Sequence, residues 1–519
     1  MEGASSDQRP QYTIIPGQSL ADLRTLPLRR TLTCILDLGA SLHEILHLIK
    51  AKKDQYKQIN LHYEPKNPLE GVVVVNLPDN GFRLRFDGKD QRLRLIEVTD
   101  FSKLVLIYKG SVLAKGVTEN PAFRRVYQLF GASYPGEYIP PQNAQGVGQY
   151  VLSWAGIAFV FPVQHSAWAP EKNHVNLLDS SAASPAAAMS LFEGSSWPEV
   201  RQNIFTKPVS GPRLSGIAAR PKDNLPAEIE IANIHQHGRI ELQRRAPAAP
   251  FTTVLNETTS QDLITELGPP DATHKKIPDV TPSDRPSHLR ASSMSNGRPR
   301  PGSQPSSYSS TGTDTFDADF DSGDADDDAS DRSVREVFWC YFSHGMDILV
   351  GPRTTDGSSA AANPSLKTSS PHLVVLKVII HGNVPGSYAF NRHRRLRWTL
   401  EFPEHSYLGP LNSETPFESS EAGGNEATAD GLRDALLHIF QSAGVTGEMG
   451  RGKVVNRTWG GAGDGGDLSD TGFFLPDAEK ELVEGNESES WLGNTQLFAF
   501  PGLGFEVGEG GWVGAVSVC

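Results

Sequence analysis

The most constraining feature of the sequence is a change in apolar spacing, from a helical period to strict alternation, that recurs along the 519 residues. Leu42, Ile45, Leu46 and Ile49 fall at helical spacing behind Gly39. Val72 to Leu77 is then β-branched and apolar, Asp79-Asn80-Gly81 is a turn signal, and Phe82, Leu84 and Phe86 alternate with Arg83 and Arg85. This pattern predicts a helix followed by a hairpin with one buried face. Runs over Leu93 to Val98 and Leu104 to Tyr108 continue it as a meander.

The same grammar returns three times. Phe123, Val126, Tyr127 and Phe130 end at Gly131, and alternating apolar residues then flank a turn at Gly156. Leu263, Ile264 and Leu267 end at Gly268; strands are predicted over Val337 to Phe342, from Met346 to Val350 past a His344-Gly345 turn, and over Leu373 to Ile380. A looser copy joins Leu432, Leu436 and Phe440 to strands at Leu497 to Phe500, Leu503 to Val507 and Val513 to Val518. Extra strands are expected at Ile229 to Ile234 and Gly238 to Leu242. The expected fold class is therefore α+β, with repeated helix plus antiparallel hairpin or meander units packed as sheets with helices on one face. The alternation argues against a doubly wound parallel sheet, whose strands would be continuously apolar. The expected organisation is a disordered 1–11, then αβ units at 12–115, 116–255 (with the extra strands), 256–411 and 412–519, the last looser and with Gly/Ser-rich loops.

The third unit is interrupted at 277–333, a stretch of Pro, Ser, Gly and Asp that cannot offset the entropy of ordering and is predicted to be disordered. Its first part is mildly basic. Nine Asp and no Lys or Arg lie between Asp314 and Asp331, and removing them from the formal −13 leaves about −4 for the rest. The folded part is thus close to balanced, which disfavours nucleic acid as a partner. Cys34, Cys340 and Cys519 are too few and scattered for a disulfide framework or paired CxxC zinc site, and a reducing compartment fits. No apolar run approaches the roughly 18 to 20 residues of a membrane helix, and the N-terminus lacks a signal-peptide core. A cytosolic chain is expected, its sequons at Asn256, Asn456 and Asn486 being chance matches.

Four motifs carry possible chemistry. His43-Glu44-Ile45-Leu46-His47 matches H-E-x-x-H, which sets two imidazoles one helical turn apart beside a glutamate base. A zinc hydrolase using His43, Glu44 and His47 is the enzymatic alternative. Against it, the buried face is already defined by Leu42, Ile45, Leu46 and Ile49, and no second helix follows to offer a third ligand. Asp317, Asp319 and Asp321 resemble the start of a calcium loop, but Gly323 falls one place late. The glycines from Gly460 to Gly466 lack the strand and helix that a phosphate loop needs. Arg392, Arg394, Arg395 and Arg397 form the densest basic run, able to meet an anionic headgroup or acidic partner, or else an exposed charged face blunting a sheet edge. No catalytic site and no cofactor is expected, nor any metal site beyond the disfavoured His43 and His47.

The segment NPLEGVVVVNLPDNGFRLRFD from Asn67, followed by QRLRLIEVTD from Gln91, resembles the phagosome assembly factor family, also called Mytho. The likeness continues through Phe130 to Tyr138, Gly156 to Phe161, Tyr341-Phe342, Gly345 to Leu349 and Asn383 to Asn391. It implies a eukaryotic cytosolic protein, in this case a fungal one, without enzymatic activity. It further implies a scaffold of autophagy that pairs with a WD-repeat β-propeller protein at the phagophore assembly site. Contact with phosphoinositide membrane would then be indirect. An alternative role in Golgi vesicle traffic also follows from the resemblance. No catalytic residues carry over, and H-E-x-x-H is not part of the family pattern.

Overall fold

A computed structural model describes residues 9–22, 35–116, 120–142, 146–207, 227–246, 248–275, 336–353, 373–387, 389–418, 431–445, 447, 449–456, 494–508 and 510–519. The acidic insert, with its tract from Asp314 to Asp331, and the loops 354–370 and 460–490 lie outside the described residues.

The described residues form two halves of identical topology. The first begins with β1 (Gln11–Ile15), β2 (Ser19–Asp22), β3 (Ile35–Asp37) and α1 (Leu42–Ala51). A meander follows: β4 (Asn60–His62), β5 (Val73–Leu77), β6 (Phe82–Phe86) and β7 (Leu93–Val98). Then come β8 (Val105–Tyr108), β9 (Ser111–Lys115) and α2 (Phe123–Phe130). A second meander closes the half: β10 (Glu137–Ile139), β11 (Val147–Trp154), β12 (Ile157–Gln164) and, after α3 (His174–Leu178), β13 (Ala188–Phe192).

After α4 (Trp197–Val200) the order repeats. The three leading strands are β14 (Ile229–His235), β15 (Arg239–Arg244) and β16 (Phe251–Val254), followed by α5 (Ser260–Leu267). The meander is β17 (Ala272–Lys275), β18 (Val337–Tyr341), β19 (Met346–Pro352) and β20 (Leu373–His381). Next are β21 (Arg397–Glu401), β22 (Leu411–Asn412) and α6 (Leu432–Ser442). The last meander is β23 (Lys453–Asn456), β24 (Asn494–Phe500), β25 (Leu503–Val507) and β26 (Val513–Val518).

Each half holds a five-stranded and an eight-stranded sheet. The small sheets run β3-β2-β1-β8-β9 and β16-β15-β14-β21-β22, with β1–β8 and β14–β21 parallel and their other pairs antiparallel. The large sheets join two meanders edge to edge, through β7–β13 in one half and β20–β26 in the other, both antiparallel.

Local chemistry explains the strands. Val73, Val75 and Leu77 on β5 and Phe82, Leu84 and Phe86 on β6 are fully buried, because alternate side chains share one face. Each such burial contributes about 1.5–3 kcal/mol. On the opposite face Arg85 donates to Glu97 across the ladder at 2.8 Å. The turn between β5 and β6 ends at Gly81, at φ 74°, where a Cβ would lie 2.3 Å from the Asp100 carbonyl oxygen. The equivalent turn between β18 and β19 ends at Gly345, at φ 80°, where a Cβ would lie 2.3 Å from the Arg394 carbonyl oxygen. Both glycines let the segment leaving the meander pass directly over the turn.

The α+β expectation is corrected. Among the described residues twenty-six strands, nearly all antiparallel, face six α-helices of which the longest has eleven residues. The protein is a mostly-β structure of four sheets. The helices are real: Ser41 caps α1 by accepting from the Glu44 N–H, and Leu42, Ile45, Leu46 and Ile49 are buried beneath it. They are too short to form a layer of their own, and most core residues lie on the strands.

Two large cores result, one built from residues 12–191 and one from 229–518. Phe390, from the second half, is buried in the first core. The halves are therefore interlocked.

Candidate functional site

The interlock is made by the segment between β20 and β21. Asn383 turns the chain at φ 46° and Asn391 at φ 60°, conformations that asparagine tolerates better than most residues. The Asn391 N–H donates to Asn383 Oδ1 at 2.6 Å, closing the segment on itself. Asn383 Nδ2 donates to Gln91 Oε1 and Gln91 Nε2 donates to the Asn383 carbonyl oxygen, each at 2.7 Å and buried. Leu69, Val384 and Trp512 form a small apolar cluster, and Trp512 Nε1 donates to the Lys66 carbonyl at 3.3 Å.

The basic run lies in this seam and mostly faces inward. Arg394 is buried and donates to Glu228 and to the Ile229 carbonyl, while Arg92 of the first half donates to the same Glu228 oxygen. Burial raises the Glu228 carboxyl, but the guanidinium groups of Arg394 and Arg92 outweigh it and hold the group below its ordinary range. Arg395 is buried with three backbone carbonyls as acceptors: Lys89 at 2.5 Å, Gly382 at 2.6 Å and Ser413 at 3.4 Å. Burial pushes it down to about 10, so it remains charged at neutral pH. Arg397, half-buried, bridges Asp90 at 3.0 Å and Glu414 at 2.6 Å. Arg392 is the exposed member.

Beside this segment lies a pocket of about 260 Å³ between the halves. Tyr63, Pro65 and Pro68 come from the first half; Val384, Pro385 and Trp512 from the second. Its polar wall holds Asp347, His381 and His393. Asp347 interrupts an otherwise apolar run on β19, and its register partner on β20 is Ile379. His381, two residues beyond Ile379, therefore stands on the same face. His393 is delivered by the interlocking segment.

The three side chains converge. His381 Nε2 meets Asp347 Oδ2 at 2.9 Å and His393 Nε2 meets Oδ1 at 2.8 Å. An ionised carboxylate only accepts, so both nitrogens donate. The two rings stack with centroids 3.8 Å apart and planes within 12°. Burial raises the Asp347 carboxyl, yet the two imidazole hydrogen bonds hold it well below the carboxylate range. Burial lowers His393 more than the Asp347 hydrogen bond raises it, which favours the neutral ring. Opposite Asp347 in the ladder is Cys340, a buried free thiol pushed up to about 12 by burial first and by the Asp347 carboxylate next.

Among the described residues Asp347, His381 and His393 are the group whose side chains could hold a metal ion, their donor atoms all lying within 4.8 Å of one another. His43 and His47 are not part of it. His43 is buried against the Arg392 carbonyl at 3.2 Å, His47 is exposed, and their ring centroids are 4.2 Å apart. Spacings of 34 and 12 residues match no short ligand motif, so pattern reading misses the triad. The available signal is the lone carboxylate in Met346-Asp347-Ile348-Leu349-Val350.

A family model described as phagosome assembly factor 1 matches residues 33–296 and 322–518. The chain belongs to the phagosome assembly factor 1 family. It is similar to a PHAF1 protein of Drosophila melanogaster, 31% identical over 80% of this chain and 84% of the relative. It is also similar to a PHAF1 protein of Arabidopsis thaliana, 26% identical over 81% of this chain and 82% of the relative. No solved structure matches the chain. Family membership supports a role connected with phagosome assembly and autophagy. No helix among the described residues is long and apolar enough to cross a membrane.

Proposed function

We propose that the protein is a non-enzymatic scaffold of autophagy that binds a WD-repeat β-propeller partner and is thereby brought to the phagophore assembly site. The observation that carries this reading is a family match extending across both halves of the interlocked body. The sheet edges support it. Each large sheet ends in a short edge strand with an exposed apolar side chain, Ile139 on β10 and Val454 on β23. Such an edge offers backbone groups and apolar side chains to a partner strand.

The inward direction of Arg394 and Arg395 favours contact with phosphoinositide membrane through the partner rather than through this run. Affinity capture of the full chain from its native cells, with and without residues 314–331, tests the reading. Recovery of a WD-repeat protein with the full chain is expected. Capture that yields no propeller protein overturns it.

A further inference from the structure

We infer that Asp347, His381 and His393 form a binding site for a divalent late transition metal of the zinc class, and that the bound ion pins the interlocking segment to the second half. The donor set is two imidazoles and a carboxylate, a combination suited to zinc and its neighbours. Zinc bonds of about 2.0–2.1 Å in tetrahedral geometry place neighbouring donors roughly 3.3 Å apart. The imidazole nitrogens lie 2.9 and 2.8 Å from the two carboxylate oxygens, and the stacked rings must tilt out of parallel for both lone pairs to meet one ion.

The exchange is chemically balanced. An imidazole that carries its single proton on Nδ1 instead of Nε2 frees the Nε2 lone pair without net proton release. The ion then replaces the two N–H bridges to the carboxylate. The pocket leaves a route of entry and room for a water or small ligand in the fourth position, with Arg392 and Glu506 also on its walls.

The position gives the site a consequence for the fold. Asp347 and His381 sit on paired strands, whereas His393 belongs to the segment that carries Phe390 into the first core and Asn383 to Gln91. A bond from the ion to His393 ties that segment to β19 and β20. The inference is independent of the scaffold reading, because it concerns how the halves are held rather than what they bind.

The test uses the full-length chain, stripped of metal and titrated with zinc chloride by calorimetry, then with cobalt(II) followed by visible absorption. One ion per chain, a tetrahedral-type cobalt spectrum and a rise in melting temperature are expected. The variant Asp347→Asn and the double variant His381→Ala/His393→Ala should each bind at least tenfold more weakly, with no metal-dependent rise in melting temperature. Asp347→Asn preserves side-chain shape and guards against loss by misfolding. His43→Ala/His47→Ala serves as the control and should bind like the parent. Absence of stoichiometric binding by the parent, or binding lost in the His43/His47 variant and kept in the His381/His393 variant, overturns the proposal and leaves the triad a hydrogen-bonded cluster.

Discussion

Gln91 and Asn383, 292 residues apart in sequence, hold each other by two buried hydrogen bonds of 2.7 Å across the seam between the halves. Both residues have positive φ, 51° and 46°, so each is fixed in a conformation that presents its amide to the other. Replacing Gln91 by Ala leaves the Asn383 side chain and carbonyl without these partners in a buried setting. The expected loss is roughly 1–3 kcal/mol of stability. Urea unfolding of Gln91→Ala, Asn383→Ala and the double variant measures it, and the double variant should lose less than the sum of the singles.

Glu228 carries the charge balance of the seam, since Arg92, Arg394 and Arg245 all pair with it. Glu228→Ala strands the buried Arg394 and is expected to cost roughly 3–5 kcal/mol. The carboxyl is held below its unfolded value, so its contribution is complete above the unfolded pKa and is lost as pH falls through the folded one. Melting temperature measured from neutral pH downward should fall in acid for the parent. Glu228→Gln should start lower and show a shallower acid dependence.

His344 adds a second pH effect at the turn between β18 and β19. Its Nε2 lies 3.3 Å from the Leu267 carbonyl oxygen, and burial, followed by the Arg394 charge, pushes it down to about 4. A group whose folded pKa lies below the unfolded value of 6.5 binds more protons when unfolded in the window between them. Stability should therefore decline as pH drops from about 6.5 toward 4. His344→Gln should reduce that decline in denaturation series at stepped pH. An unchanged slope would mean that His344 does not titrate differently in the two states.

Ile139 and Val147, 43% and 58% exposed, share one face at what is, among the described residues, the edge of the first large sheet. Ile139→Glu/Val147→Glu places charge on that edge without touching the core. The expected result is at least tenfold weaker capture of the proposed propeller partner, with a melting temperature within a few degrees of the parent. The second edge, at Val454 on β23, gives the comparison that shows whether one edge or both take part.

Alternation made the strand at Phe82–Phe86 readable and a β-branched apolar run the one at Val73–Leu77, and one face of each meets a core while the other does not. The helices α1, α5 and α6 were readable from spacing for the same reason. Their small share of the structure was not, since an amphipathic stretch reports its own buried face and says nothing of the breadth of sheet beside it. The parallel pairs β1–β8 and β14–β21 were likewise invisible, each joining strands separated by a whole meander.

Sequence by itself determined the family, the alternating strands and the glycine turns, all of which are set by neighbours a few residues apart. Tertiary structure alone decided what the arginine run and the triad are. Arg394 reads as a surface charge until Glu228, 166 residues away, is placed beside it. Asp347 reads as an oddity in an apolar strand until His381 and His393 close on its two oxygens. Burial and long-range pairing change the meaning of a polar side chain, because its energy depends on the partners that folding brings to it.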